Sequence, residues 1–317
     1  MKTRIYKFSF KTEVHFGNGT LDHSVYTIFA DTLFSAMCIE AQKMGCINTL
    51  YQAVKQDHLL FSDGFPFIKD RFYLPKPFIK VSKDSGETLS REHISQRKKF
   101  KKLTYIAADL FDDYLNGKDI LKENNFDKLG ESSLRTKAAI RNGTDETLPY
   151  HVGTFKFNDG CGLYFIVNYD DDSVITLCDE LIKAISYVGI GGKRTAGLGR
   201  FDLTVLSDGK EIESVTKLLK TTADSQTGRM LLSVALPLDN ELDNALTGAQ
   251  YQLVKRSGFT APDNNDTELL KKKDLYVFSS GSYFKNTFKG DVYDVSRGAS
   301  HPVYRYAKPM FMEIKAS

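Results

Sequence analysis

Within the eleven residues from Gly189 to Gly199, "GIGGKRTAGLG", the chain places five glycines around Lys193 and Arg194, and Arg200 follows directly. No regular helix or strand holds glycine at that density, so this is a loop whose backbone takes unusual angles or lies close to something. Its flanks limit the fold. Val174, Leu177, Cys178, Leu181, Ile185 and Val188 recur at helical spacing, with Ser173 as the expected N-cap. After the loop, Phe201, Leu203 and Val205 alternate with Asp202 and Thr204, the spacing of a strand. The order is helix, glycine loop, strand.

That order excludes two nucleotide loops. A P-loop needs glycine where Tyr187 stands and a hydroxyl where Arg194 stands. A dinucleotide fingerprint needs a strand before the glycines and a helix after them. Two readings remain: a nest of backbone N–H groups and cations suited to phosphate oxygens, or a loop whose Lys193, Arg194 and Arg200 are solvated. Ordinary connections are short and hold few glycines, which favours the nest.

At 317 residues and 41% hydrophobic content the chain is long enough for two domains with full cores. Forty-three Lys and Arg against 40 Asp and Glu leave a net charge of only +3, so any electrostatic footprint is local. Basic runs occur at Arg91, Arg97, Lys98, Lys99, Lys101 and Lys102 and at Lys271 to Lys273, and each taken alone reads as a solvated face. Cys38, Cys46, Cys161 and Cys178 form no CxxC pair and read as reduced core residues of a cytoplasmic protein. The start, "MKTRIYKFSF", alternates polar and apolar residues. Neither a signal sequence nor a membrane span is expected.

Tyr6, Phe8, Phe10, Val14 and Phe16 fall on one face of an extended segment and Lys7, Lys11, Glu13 and His15 on the other, which predicts a half-buried strand with a polar open face. Asp31 is expected to cap a helix with a stripe of Leu33, Phe34, Met37, Cys38, Ala41 and Met44, closed by Gly45. The stretch "LTYIAADLFDDYLNG" predicts another helix, ended by Gly117. From Leu134, two extended arms surround Asn142-Gly143, a turn signal for a hairpin carrying Arg135, Lys137 and Arg141 on one arm and Pro149, Tyr150 and Val152 on the other. "GLYFIVNY" then leads into the helix, glycine loop and closing strand. This order predicts a ferredoxin-like sheet with helices on one face, the layout of RNA-recognition domains. A polar stretch over 207–228 precedes a smaller, strand-rich second half.

The segments "HFGNGTLD", "FADTLFSAM", "FPF" before "LPKP", "GIGGKRTAGLGRF", "SGF" and "KKKDLYVFSSGSYF", in this order, resemble the fourth Csm subunit of type III-A CRISPR effector complexes. That family is a repeat-associated (RAMP) group of Cas5-like proteins, and the resemblance spans essentially the whole chain. It implies an α+β chain of two ferredoxin-like (RRM-like, RAMP) domains, 1–215 and 225–317, with a thumb hairpin at about 135–154 and the glycine-rich loop at 189–199. It also implies an antiviral, non-catalytic subunit that grips the 5′ handle of the CRISPR RNA and joins the large Cas10-type subunit to the backbone Csm three subunit. Target RNA is met only indirectly, with no metal, cofactor or membrane.

On this model Gly189, Gly191, Gly192, Gly197 and Gly199 let backbone approach RNA phosphates, and Lys193, Arg194, Thr195 and Arg200 contact them. The thumb, with Arg135, Lys137, Arg141, Tyr150 and Val152, displaces a guide nucleotide, its apolar contacts offsetting the unstacking. Lys255, Arg256 and Ser257, and Ser280, Gly281 and Ser282, are candidate contacts to splayed handle bases, and His15 is a hydrogen-bonding or stacking contact. The alternatives are a metal-independent Cas6-like or Cas5-like endoribonuclease, with His15 and then His23 and His151 as candidate bases, and a protein scaffold without RNA contact.

Overall fold

The computed structural model describes residues 1–81, 98–100, 102–140, 147–220, 227–260, 270–298 and 301–315. Arg141, the Asn142-Gly143 turn and the basic residues Arg91, Arg97 and Lys101 lie outside the described residues. The first half runs through strands β1 (Lys2–Phe10), β2 (Phe16–Asn18) and β3 (Thr20–Val25), helices α1 (Ala30–Lys43) and α2 (Ile47–Lys55), then strands β4 (Leu59–Phe61), β5 (Phe65–Ile68), β6 (Arg71–Pro75) and β7 (Tyr105–Ala107). A short helix α3 (Phe111–Leu115), the long hairpin β8 (Gly130–Ile140) and β9 (Thr147–Phe157), β10 (Cys161–Tyr169), α4 (Asp172–Val188) and β11 (Phe201–Leu206) follow. The second half holds α5 (Glu213–Leu219), β12 (Thr227–Leu231), α6 (Leu242–Leu246), β13 (Leu253–Arg256), β14 (Leu275–Phe278), β15 (Tyr283–Phe284), β16 (Asp291–Asp294), β17 (Tyr304–Ala307) and β18 (Phe311–Lys315).

The main sheet has the order β11-β1-β10-β5-β6-β7, with β4 also paired to β10. Its pairings are antiparallel. One face, with Tyr6, Phe8, Phe165 and Phe201, packs against the apolar stripes of α1 and α4. The other face was expected to be open and polar. Instead Ile5, Tyr164 and Ile166 are buried there under Val215 and Leu218 of α5 and Met230, Met312 and Ile314 of the second half. Lys7 is largely covered: its ammonium lies over the Phe67 and Phe72 rings and pairs with Glu211. A long cationic side chain can cover apolar surface in this way, and alternation alone does not reveal it.

Three local expectations are corrected. The N-cap of α4 is Asp171, whose carboxylate accepts from the N–H of Ser173 at 2.7 Å; Ser173 itself lies inside the first turn. The "LTYIAADLFDDYLNG" stretch is strand β7 followed by a 3₁₀ turn and the short α3, because Ile106 and Ala107 join the sheet edge beside Leu74 and Tyr73. Asp31 does not cap α1. The helix starts at Ala30 behind Phe29, and the buried Asp31 side chain points to the second half.

Both halves share the main cores. Tyr306 of β17 sits among Phe34 and Phe61, its hydroxyl donating to the Phe61 carbonyl and accepting from the Phe61 N–H at 3.0 Å. A smaller cluster of Leu231, Ala235, Ala245, Phe278, Phe284 and Phe288 belongs to the second half alone. Asp63, buried between β4 and β5, ties the halves at their backbone. Its Oδ1 accepts from the N–H of Ala30 at 2.7 Å and of Val234 at 3.0 Å, while its own N–H donates to the Leu232 carbonyl.

Burial pushes the Asp63 carboxyl up to about 7, against those two hydrogen bonds and with the Asp31 charge adding to the rise. The folded chain therefore keeps a proton that the unfolded chain releases near pH 4. Stability falls as pH rises from about 4 to about 7 and levels off above that window. Asp63→Asn, which keeps an oxygen acceptor, is expected to remove this contribution, on the order of a few kcal/mol across the window. Urea unfolding of both proteins at pH 5 and pH 8 checks it; identical pH slopes would count against it.

Candidate nucleic-acid interface

The site is organised by the segment after β1. Sequence alternation carries straight through it, but β1 ends at Phe10 and residues 11–16 become a strap between two other elements. On one side the glycine loop docks to it: the N–H of Gly199 donates to the Glu13 carbonyl at 2.9 Å, that of Gly192 to the His15 carbonyl at 2.8 Å, and that of Arg200 to the Thr12 hydroxyl at 3.2 Å. On the other side Val14 and Phe155 of β9 exchange backbone hydrogen bonds of 2.8 and 2.9 Å. His15 closes the strap. It is buried, and its Nδ1–H donates to the Gly153 carbonyl at 2.6 Å.

The close approach that the glycines permit is largely to the protein itself. A Cβ on Gly189, Gly191, Gly192 or Gly199 would lie within 2.8 Å of another part of the chain, and at Gly199 only 2.1 Å from the Ile190 carbonyl oxygen. Gly197 alone of the five faces open space. Most of the loop's N–H groups are engaged internally, so the expected nest is confined to part of the loop. The exception is local. Lys193 adopts a left-handed conformation (φ 57°) before a 3₁₀ turn, Arg194 to Ala196, and among the described residues the N–H groups of Lys193, Arg194 and Thr195 donate no hydrogen bond. Successive free N–H groups at a left-handed to right-handed step form an anion-binding concavity.

The hairpin is fastened to this loop. Arg135 pairs with Glu13 at 2.5 Å, and its guanidinium holds that carboxyl below the usual range. Lys193 Nζ stands 5.4 Å from the centre of the Tyr150 ring. Arg135 is therefore committed to docking the hairpin. Val152 cannot serve as an apolar contact to a base, because it is 0% exposed. The half-exposed Leu148 lies on the same hairpin face as Tyr150 and Lys137 and is the apolar side chain available there. The sequence signal for it was the same two-residue alternation, read one pair too far from the tip.

Beside the strap lies a groove of about 670 Å³, which joins two sequence segments far apart. Ile190 to Gly192 and Arg194 form one wall, His15 to Gly17 lie at its base, α1 contributes Asp31, Thr32 and Ser35, and Val254 and Arg256 to Phe259 form the opposite wall with Lys272, Tyr304 and Arg305. Asp31 accepts from Arg256 through both oxygens at 2.9 Å and from Arg305 at 3.1 Å. Burial works against its ionisation, but Arg256 and Arg305 together hold the carboxyl below the ordinary value. Arg256 also lies over Phe29, 4.3 Å from the ring centre. Lys272 is lowered by burial first and then by Arg305, and neither it nor Arg194 has an ion-pair partner among the described residues. Four cations face one carboxylate in the lining, a local excess as large as the net +3 of the whole chain.

Of the sequence candidates, the groove collects His15, Gly191, Gly192, Arg194, Arg256 and Ser257. Lys255 faces away from it and pairs with Asp274 at 2.8 Å. The turn of Ser280, Gly281 and Ser282 is a core element. Gly281 donates to the Leu231 carbonyl and accepts from the Phe78 N–H, Ser282 is fully buried, and Ser280 lies beside Asp63. It is not placed to meet a splayed base. His23 and His151 are exposed, both near enough to Asp22 to help lower its carboxyl, and His151 Nδ1 meets the Thr136 hydroxyl at 3.1 Å. Sequence reading missed Lys272, Arg305 and Phe259, whose only signals were a lysine run and the residue after "SG". Among the described residues, no cluster of His, Cys, Asp and Glu is arranged to hold a metal ion, and no helix is long and apolar enough to cross a membrane.

A family model described as the RAMP superfamily matches residues 7–202, and one described as the CRISPR Csm4 C-terminal domain matches residues 224–314. A curated relative of Mycobacterium tuberculosis (strain CDC 1551 / Oshkosh), named CRISPR system Cms protein Csm4, is 37% identical over 100% of this chain and 99% of its own. One of Streptococcus thermophilus with the same name is 36% identical over 99% and 100%. In fold the chain is similar to the crystal structure of the Csm3-Csm4 subcomplex of the type III-A CRISPR-Cas interference complex, with a TM-score of 0.63 at 19% identity over 98% of this chain and 99% of that one. It is also similar to that of a Csm1-Csm4 cassette in complex with AMPPNP, with a TM-score of 0.61 at 16% identity over 98% and 97%.

The loop geometry sets a rank order of tolerance. Gly199→Ala meets both a positive φ (79°) and the Ile190 carbonyl, whereas Gly197→Ala meets only the φ of 83°. Gly197→Ala is expected to cost about 1–2 kcal/mol and Gly199→Ala clearly more. Thermal denaturation of the two variants side by side checks the order.

Proposed function

This chain belongs to the Csm4 family of the RAMP superfamily, and on that premise we propose that it is the non-catalytic subunit that grips the 5′ handle of the CRISPR RNA in a type III-A interference complex, acting in the cytoplasm. The observation that carries the reading is the groove: four cations against one carboxylate, on a chain that is otherwise nearly neutral. Phosphate contacts supply most of the affinity in such complexes and need no base-reading chemistry. The free N–H groups of Lys193, Arg194 and Thr195 support a phosphate position at the loop's tip. Arg194 and Lys272, without ion-pair partners among the described residues, then supply charge along the groove, and Phe259 supplies apolar surface for bases.

The strand order β11-β1-β10 followed by β4 and β5, with α1 and α4 on one face, supports a ferredoxin-like first half. The hairpin β8-β9, held against the glycine loop by the Lys193-Tyr150 and Arg135-Glu13 contacts, fits the thumb. Leu148, Tyr150 and Lys137 on its outer part are its candidate contacts to a displaced nucleotide. The partners follow from the same reading: proteins of this fold are found with Csm3 and with Csm1, so this chain joins a Cas10-type large subunit to a backbone subunit.

A processing nuclease needs a base free to take a proton and a second group to return one. His15 instead donates to a backbone carbonyl, is packed against Gly17 and Gly192, and has no second titratable side chain hydrogen-bonded to it among the described residues. The expected result is binding of a repeat-derived 5′ handle RNA without cleavage. Lys193→Ala/Arg194→Ala should weaken that binding about tenfold or more and lower the slope of log affinity against log salt by about 1–2. Metal-independent cleavage that disappears in His15→Ala would overturn the reading.

A further inference from the structure

The two-stranded ribbon β13-β14 has two faces of different character. Val254 and Val277 turn inward onto the main core, and Arg256 lines the groove. The outer face carries Leu253 and Tyr276, 50% and 57% exposed, with Lys255 directly opposite Tyr276 in the register. Tyr251, 45% exposed, stands edge-on to Phe278 at 4.7 Å. Cations border this face. Lys255 and Lys271 share Asp274 at 2.8 and 3.9 Å, and Arg297 is close enough to act on the same carboxylate.

The face is continuous with the groove. Phe259, 61% exposed, lines the groove wall and pairs by backbone with Lys271. Lys272 lines the groove while its neighbour Lys271 reaches Asp274 on the other side. A path of alternating rings and cations therefore leads from Arg194 and Lys272, over Phe259 and Lys271, to Lys255 and Tyr276. The exposed apolar side chains of this face form a small patch beside the roughly 20–30 residues of every type that each side of a stable protein interface contributes. Exposed aromatics beside cations on a ribbon are instead the ingredients of a platform for single-stranded nucleic acid.

We propose that the outer face of β13-β14, with Tyr276, Leu253 and Tyr251 beside Lys255 and Lys271, is a second contact for single-stranded RNA, reached over Phe259 from the groove. It rests on the reading of the groove as the handle site and extends it. Bases stack on Tyr276 and Tyr251 without sequence preference, and phosphates meet Lys255, Lys271 and Arg297.

The test compares a handle-only RNA with the same RNA carrying an unstructured adenine tail, by fluorescence anisotropy on the full-length protein. The tail should raise affinity on the order of tenfold in the wild type. That gain should vanish in Leu253→Ser/Tyr276→Ala and shrink in Phe259→Ala, while Tyr276→Phe, which keeps the ring, retains it. Handle-only affinity and the melting temperature should stay as in the wild type for the Tyr276 variants, which separates lost stacking from lost fold. A tail gain that is absent, or that survives in Leu253→Ser/Tyr276→Ala, overturns the proposal and leaves the groove reading standing. Survival of the gain together with loss of co-assembly with the large subunit would assign the face to protein instead. Failure of handle-only RNA to bind the wild type would bring down the groove reading, and this proposal with it.

Discussion

Asp31 holds the molecule together at the point where its chemistry is concentrated. One buried carboxylate on α1 accepts from Arg256 on β13 and Arg305 on β17, so a first-half helix and two second-half strands converge on a single charge. Burying these groups is costly and is offset only by good geometry. Here the geometry is good: Arg256 is bidentate and Arg305 also donates to the Ser257 carbonyl at 3.2 Å. The two arginines exceed the one carboxylate, so the knot leaves positive charge at the groove floor even though each guanidinium is occupied. Structural and electrostatic roles are thus met by the same side chains, and Arg256 is better regarded as a fixed part of the groove than as a free contact.

The strap of residues 11–16 plays the corresponding role for the glycine loop and the hairpin. Because its backbone serves both neighbours, the loop cannot shift without disturbing Glu13 or His15, and the hairpin cannot shift without disturbing Val14. Rigid support of this kind lets a loop present a few N–H groups in a fixed arrangement, which is what anion binding requires. It also explains why glycine is needed there independently of any ligand. The strap, the Ile190 carbonyl and the His15 ring already occupy the space where side chains would go.

The overall charge of the chain gives no hint of this. Asp and Glu elsewhere largely cancel the cations, often in exposed pairs such as Lys2-Asp172 and Lys118-Asp113 that contribute little to stability. What matters for a polyanion is the uncancelled charge within a screening length, about 8–10 Å at physiological salt. The groove lining gathers Arg194 and Lys272, neither with an ion-pair partner among the described residues.

Much of the fold was legible in the chain itself. The helix, glycine loop and strand, the long hairpin, and the strands of the second half all follow from local periodicity and turn residues, which depend on neighbours in sequence. The nearly full-length resemblance placed the chain in its family by the same kind of local text. Tertiary structure alone decided the rest. It turned Asp31 from an expected cap into an ion-pair hub, buried the supposedly open face of β1, removed Val152 and Ser282 from solvent, and gathered Arg194, Lys272 and Arg305 around one groove. The physical reason is that burial and pairing of a charge are set by elements hundreds of residues away, and no spacing rule within a segment encodes which of them will close over it.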